Sequence, residues 1–206
     1  MEAPILAAPK KGAVRAGATV VFVEESGFSQ RPSVRRIWAP RGQTPVLREH
    51  FNWKRLAASG AIAWRPDQPR TRLFLSLRPG AIASEQVVAF LRQLRRHVRG
   101  KVVLLWDGLP AHRSGQTQAY VEANRSGLTV ERLPAYAPEL NPVEDLWASL
   151  TSRATANFSP DTLEELGGRL RSGIRCLRRQ PDLGLNFIKH ASLISEQERL
   201  QLCESQ

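Results

Sequence analysis

A chain of 206 residues with 42% apolar side chains is long enough for one domain with additions and for a true hydrophobic core, and too short for more than two small domains. Thirty Lys and Arg against nineteen Asp and Glu leave a formal charge of +11. Such an excess points to a polyanionic partner, nucleic acid first, or to the Arg-rich usage of a GC-rich genome. Cys176 and Cys203 make neither a disulfide framework nor a thiolate metal site. The N-terminal stretch lacks a secretory pattern, and no window holds the roughly 20 apolar residues of a membrane span. The expectation is a cytoplasmic, nucleoid-associated protein with no membrane partner.

Residues 1–17 carry Ala, Pro, Lys and Gly without period and read as a flexible lead-in. "ATVVFVE", 18–24, is β-branched and apolar and predicts a strand. It closes on Glu24 and Glu25, before Ser26 and Gly27. "RRIWAPRGQTPVLR", 35–48, reads as two short strands about a turn, punctuated by Pro40, Gly42 and Pro45. "RLAASGAIAW", 55–64, predicts a further antiparallel strand, and "TRLFLSLRPG", 71–80, another strand or an irregular connection. Val87, Phe90, Leu91, Leu94 and Val98 recur at three-and-four spacing, which predicts a helix over 84–98 with Ser84 as its cap. "KVVLLWD", 101–107, is a continuous apolar run, the pattern of a strand buried on both faces. A helix over 114–126, a strand over 128–133 and a helix over 141–154 follow, the last with Val143, Leu146, Trp147 and Leu150 on one face. Residues 160–178 and 183–204 read as helices separated at Pro181. A strand meander followed by alternating helices and strands predicts a mixed α/β sheet covered by helices.

Acidic residues fall at three element ends: Glu24 with Glu25, Asp107, and Glu144. In α/β sheets, strand ends are where sites gather. Two carboxylates from neighbouring strands and a third from a helix can hold two divalent cations. Mg²⁺ takes hard oxygen ligands, few protein carboxylates and substrate phosphates. Two such ions about 4 Å apart activate a nucleophile and stabilise the leaving oxygen in phosphoryl transfer. Each position also has an ordinary structural explanation. Asp107 before Gly108 is good turn chemistry. With Asn141 as N-cap and Pro142 at N1, Glu144 falls at N3, the reach-back position of a capping box. Strand alternation sends Glu24 and Glu25 to opposite faces, so at most one faces Asp107; the other is solvated or paired with a base. His112, five residues past Asp107, either contacts phosphate or metal or, as is commoner, packs and hydrogen-bonds near such a site, and it is not counted among the ligands.

Four blocks stand in order: "FVEESGF", "RRIWAPRGQTP", "LLWDGLPAHRS" and "LPAYAPELNPVEDLW". Together they resemble the catalytic domain of the DDE transposases, in the bacterial insertion-sequence branch related to mariner. The resemblance covers roughly residues 18–156. Its most specific part is the last block, with Tyr136, Pro138, Leu140, Asn141, Pro142, Glu144 and Trp147 in the family's places. It implies an RNase H-like α/β fold, a five-stranded mixed sheet flanked by helices, as a catalytic domain over 18–156 with extra C-terminal helices over 157–206. It implies cleavage at transposon ends dependent on two Mg²⁺ or Mn²⁺ ions, then joining of the 3′-hydroxyl to target DNA by a homodimer on DNA. Carried over, Glu24, Asp107 and Glu144 are the catalytic and metal-binding residues, and Glu25 is not a ligand. The family has Asp where Glu24 stands; the extra methylene moves the carboxylate by more than about 1 Å, a shift that can cost about 100-fold in rate. Restoring Asp is expected to raise turnover, and a catalytically impaired DNA-binding remnant is the alternative function. Relatives carry helix-turn-helix domains ahead of this region, so the expectation is either the downstream frame of a split transposase, with an upstream helix-turn-helix partner chain, or a truncated copy.

Seven Lys or Arg and one acid lie in residues 31–55, and five basic residues without an acid in each of 92–101 and 169–179. Such clusters give strong, salt-sensitive, sequence-blind binding to phosphates, or else form solvated faces. Arg35, Arg36, Arg41, Lys54 and Arg55 are the candidate DNA-contacting residues, beside Trp38 and Trp53, which serve either as stacking platforms or as core.

Overall fold

The computed structural model describes residues 17–48, 54–68, 70–134 and 137–191. A five-stranded sheet runs in the order β3-β2-β1-β4-β5, from β1 (Thr19–Ser29), β2 (Arg55–Trp64), β3 (Thr71–Pro79), β4 (Val102–Trp106) and β5 (Leu128–Arg132). The first three strands form an antiparallel meander. β4 and β5 then add in parallel on the other side of β1, through crossover helices. The sheet is therefore mixed, and β1 is its centre.

Among the described residues, five α-helices cover it. α1 (Ser84–His97) and α2 (Gly115–Ala123) take one face; α3 (Pro142–Leu150), α4 (Leu163–Arg178) and α5 (Pro181–His190) take the other. Strand alternation sorts the core accordingly. Val21 and Val23 pack with Trp106 and the apolar stripe of α1. Val20 and Phe22 pack with Leu105 and with Leu146, Leu170 and Ile188 of the three later helices. No helix among the described residues is long and apolar enough to cross a membrane.

Several expectations are corrected. β1 does not stop at Glu24: it continues through Gly27 to Ser29, paired with β2 as far as Arg55, and Phe28 anchors the extension edge-on against Trp147, ring centroids 5.8 Å apart. Residues 35–48 form no strands. Pro40 and Pro45 cannot donate to a ladder, and both edges of β2, into which the segment leads, are already taken. Ser84 is the first helical residue of α1, and Ala83 occupies the cap, its N–H bonded to Gln86 Oε1 at 2.9 Å. α3 ends at Leu150, and Thr151–Thr155 continue it as a wider π-type turn. The expectations for residues 1–16 and for a helix beyond 191, with Trp53 and Tyr136, lie outside the described residues.

Candidate active site

The parallel ladder between β1 and β4 pairs Phe22 with Leu105. Continued by two residues, that register brings Glu24 level with Asp107. Both then fall on the face that carries Phe22 and Leu105, which is the face covered by α3. Here β4 has ended while β1 runs on, so the two carboxylates sit beside a notch in the sheet rather than inside a ladder.

Glu144 reaches the same place from α3. Gly60 of β2 lies opposite Glu24 in the antiparallel register. A Cβ at Gly60 would collide with the Trp147 ring, so this glycine is what lets α3 lie close against the sheet. Glu144, one turn before Trp147 on the same helix face, is thereby brought within hydrogen-bonding reach of Glu24. A capping box is not its role, since the Asn141 N–H it would serve already donates to Pro138 O at 2.9 Å. Asn141 does cap α3, its Oδ1 accepting from Val143 N–H at 3.2 Å. Its other end, Nδ2, donates to Glu24 Oε2 at 2.7 Å. One buried amide thus ties the helix bearing Glu144 to Glu24.

Electrostatics follow from the crowding. Burial, then the Glu144 charge and a shared hydrogen bond with it, then Asp107 and Glu25, push the Glu24 pKa up to about 8. Like charges brought together this way hold a proton unless a cation replaces it. Asp107 differs. Burial works to raise it, but hydrogen bonds from His112 and from the Leu109 amide outweigh that and hold it below the usual carboxylate range. The Leu109 bond, 3.2 Å to Asp107 Oδ1, is the turn chemistry expected of Asp-Gly; the same residue serves turn and cluster.

His112, five residues on, is buried and stacked flat on Trp106, centroids 4.1 Å apart and planes 3° off parallel. Its Nδ1–H bonds the Asp107 carbonyl oxygen at 3.2 Å and pairs with Asp107 Oδ1 at 2.9 Å, and its Nε2 lies 3.2 Å from Glu25 Oε2. The Glu25 contact is an ion pair, so Glu25 receives charge compensation without a directed hydrogen bond. Burial works to lower the His112 pKa, yet its contacts with Asp107 and then Glu25 carry it up to about 9. Of the two alternatives for the second glutamate, solvation or pairing with a base, the second holds, and the base is this imidazole.

Glu24 and Asp107 open onto a cleft of about 470 Å³ also lined by Arg113, Arg132, Pro138 and Asn141 among others. Arg113 and Arg132 are exposed at its edge. Neither stands out in the sequence, because each is isolated rather than part of a basic cluster. The structure brings Glu24, Asp107 and Glu144 together, half-buried. Arg35, Arg36, Arg41, Lys54 and Arg55 do not line this cleft. The first three are exposed on the segment after β1, and Lys54 and Arg55 line a separate hollow with Gly27 and Leu163.

A central strand, its parallel neighbour and a facing helix contributing one carboxylate each define an RNase H-like domain with an acidic site at the notch of its sheet. The chain belongs to the DDE superfamily endonucleases, whose family model matches residues 19–167. Its fold is similar to that of Mos1 in a crystal structure of the mariner paired-end complex with Mn, with a TM-score of 0.63, 17% identity, and cover of 97% of this chain and 60% of that one. It is similar to the Mos1 strand transfer complex at a TM-score of 0.60 and 18% identity, over 97% of this chain and 57% of that one. The Mos1 transposase catalytic domain, solved with raltegravir and Mg, matches at 0.51 and 17% identity over 93% of this chain and 92% of that one. The chain thus spans 60% of the first of these and nearly all of the last. Curated proteins include no match to it.

Proposed function

We propose that this chain is the catalytic part of an insertion-sequence transposase, cutting DNA strands at the element's ends and joining the freed 3′-hydroxyl to target DNA. The observation that carries the reading is the meeting of Glu24, Asp107 and Glu144, from three separate elements, with the first two opening onto a cleft edged by Arg113 and Arg132. The donor set fits Mg²⁺ or Mn²⁺, and the proposal is for two ions. All its atoms are hard carboxylate oxygens, and the proton affinity of Glu24, raised first by burial and then by the neighbouring carboxylates, reflects negative charge that a cation would offset. When bound, such ions supply an activated nucleophile and a stabilised leaving oxygen.

The rest is the work of the chain. Asn141 fixes Glu24 against α3. Trp147 on Gly60 sets the height of Glu144. Arg113 and Arg132 hold DNA phosphates beside the acids. Arg35, Arg36, Arg41, Lys54 and Arg55, with Trp38, grip DNA away from the chemistry without reading its sequence. A homodimer pairs the two ends, and a helix-turn-helix module supplies end recognition. Mos1, in the structures it resembles, is described in paired-end and strand transfer complexes.

One observation favours a second reading. Glu24 replaces the shorter acid of the resemblance, which suits a DNA-binding remnant of low activity. Labelled DNA incubated with Mg²⁺ or Mn²⁺, wild type beside Asp107→Ala, tests both. The proposal expects cuts that need the metal and vanish in the variant. Cutting that survives Asp107→Ala contradicts it. Binding without any cutting, even with an upstream chain supplied, supports the remnant.

A further inference from the structure

Alternation sends Glu25 to the opposite face of the sheet from Glu24, among the residues covered by α1 and α2. Its side chain is 9% exposed, and neither of its oxygens has a directed hydrogen bond. A buried, poorly hydrogen-bonded carboxylate is expensive, and apolar side chains of similar volume commonly replace such groups at no loss of stability. Its compensation is the imidazole of His112, itself 1% exposed. The flat stack on Trp106 fixes the plane of the ring. Its far nitrogen meets Asp107. The imidazole therefore passes round the end of β4 and links a buried acid on one face to a site acid on the other.

Asp107 needs such a link. It stands one residue beyond β4, before Gly108, with no ladder partner to hold it. His112 Nδ1–H bonds the Asp107 carbonyl oxygen at 3.2 Å and pairs with Oδ1 at 2.9 Å, and Leu109 N–H donates to that same Oδ1 at 3.2 Å. Oδ2 takes none of these contacts. We infer that His112 is a positioning residue for Asp107, with Glu25 as its buried counter-ion, and that this chain of three leaves Oδ2 as the ligand atom. The inference rests on the metal-dependent function proposed for the site.

One ligand atom from each of Glu25, Asp107 and His112 lies within 4.8 Å of the others, which suggests a metal site of a different kind. The ring argues against it. One carboxylate stands at each nitrogen, so an ion bound by the imidazole would face one acid and not the other. Partners that orient a metal ligand typically change affinity or activity by about 10- to 100-fold when removed.

The probe is Mn²⁺ alone, titrated into the full chain and read by electron paramagnetic resonance. Asp107→Asn should abolish binding at this site. His112→Gln should weaken it by about 10- to 100-fold. Because His112→Gln strands Glu25 without its counter-ion, Glu25→Gln/His112→Gln is measured beside it; that pair buries no charge and should weaken binding to the same degree. Pulsed measurements on the wild type should show no nitrogen coupling from a coordinated imidazole. The inference is overturned if the double variant binds Mn²⁺ as the wild type does while Asp107→Asn loses it. Nitrogen coupling overturns it too, since His112 would then be a ligand. If Asp107→Asn itself binds normally, the metal reading of the site has failed and this inference falls with it.

Discussion

Glu24 and Arg36 are close in sequence and belong to opposite kinds of structure. Around Glu24 every position is fixed from several sides: the β1 and β4 registers, Gly60 beneath Trp147, and the Asn141 amide at 2.7 Å. Around Arg36 almost nothing is. The segment is pinned at its base, where Ser33 bridges to Ala156 and the Asn157 side chain bonds both backbone groups of Arg35, at 2.8 and 2.9 Å. Beyond that it runs exposed, with Trp38 at 102%, Val46 at 84% and Ile37 at 58%. Chemistry on a phosphate tolerates little misplacement. Neutralising a polyanion tolerates a great deal. The two regions match those demands, and substitutions in them should fail in different ways.

Gly60→Ala should produce the largest such effect. Its Cβ has no room beneath Trp147, so α3 must lift or the indole must leave. Overpacking of this kind costs about 1–3 kcal/mol, read in thermal unfolding. Lifting α3 by about 1 Å carries Glu144 away from Glu24 and should slow cleavage about 100-fold. If the variant loses stability but cuts at the wild-type rate, the site is less exacting than the contrast requires.

A smaller and sharper effect is expected from Glu24→Asp. The sequence alone predicts a gain, because the family has Asp at this place. The structure argues for the reverse. The extra methylene of Glu24 is used in reaching Asn141 Nδ2, and Asn141 cannot follow a shorter side chain while it caps α3 through Val143. Cleavage should therefore fall by about 10-fold, the scale of removing an orienting partner, with stability little changed. A gain, under the same metal and the same DNA, would mean that the site is not fitted to Glu24 and would revive the impaired-remnant reading.

Much of this site was legible before the fold was known. The continuous apolar run of β4 announced a strand buried on both faces, and Asp107 at its end followed from that. The block around Asn141, Pro142 and Glu144 marked a helix start and a third acid. Alternation split Glu24 from Glu25 and required a base beside one of them if it was not solvated. What escaped was tertiary. Gly27 reads as a break, yet β1 passes through it because β2 is there to pair and Trp147 is there to receive Phe28. The need for glycine at position 60 exists only once α3 lies over it. His112 gave a signal too weak to weigh, one histidine shortly after an acid, until Trp106 and Glu25 closed round it. Residues 35–48 have strand-like composition but find no edge to join, and local pattern cannot report that.

The gentlest test belongs to the exposed segment. Arg35, Arg36 and Arg41 do not line the acidic cleft, and Arg36 and Arg41 lie beyond the bonds that pin its base. Replacing all three by Ala should weaken DNA binding several-fold, and equally for element ends and for random sequence, since phosphates carry no sequence information. The plot of log affinity against log salt should become shallower by about 0.9 for each phosphate that is no longer neutralised. At saturating DNA the cutting rate should stay at the wild-type value, because none of the three reaches the acids. Salt titrations and single-turnover rates on one DNA separate these outcomes. An unchanged slope would remove the segment from the DNA interface and leave its exposed Trp38 to some other partner. A drop in rate at saturation would break the division of labour more deeply: it would mean that the segment helps seat DNA in the cleft, so that grip and chemistry are coupled through the base at Asn157, which lies just past the turn that extends α3.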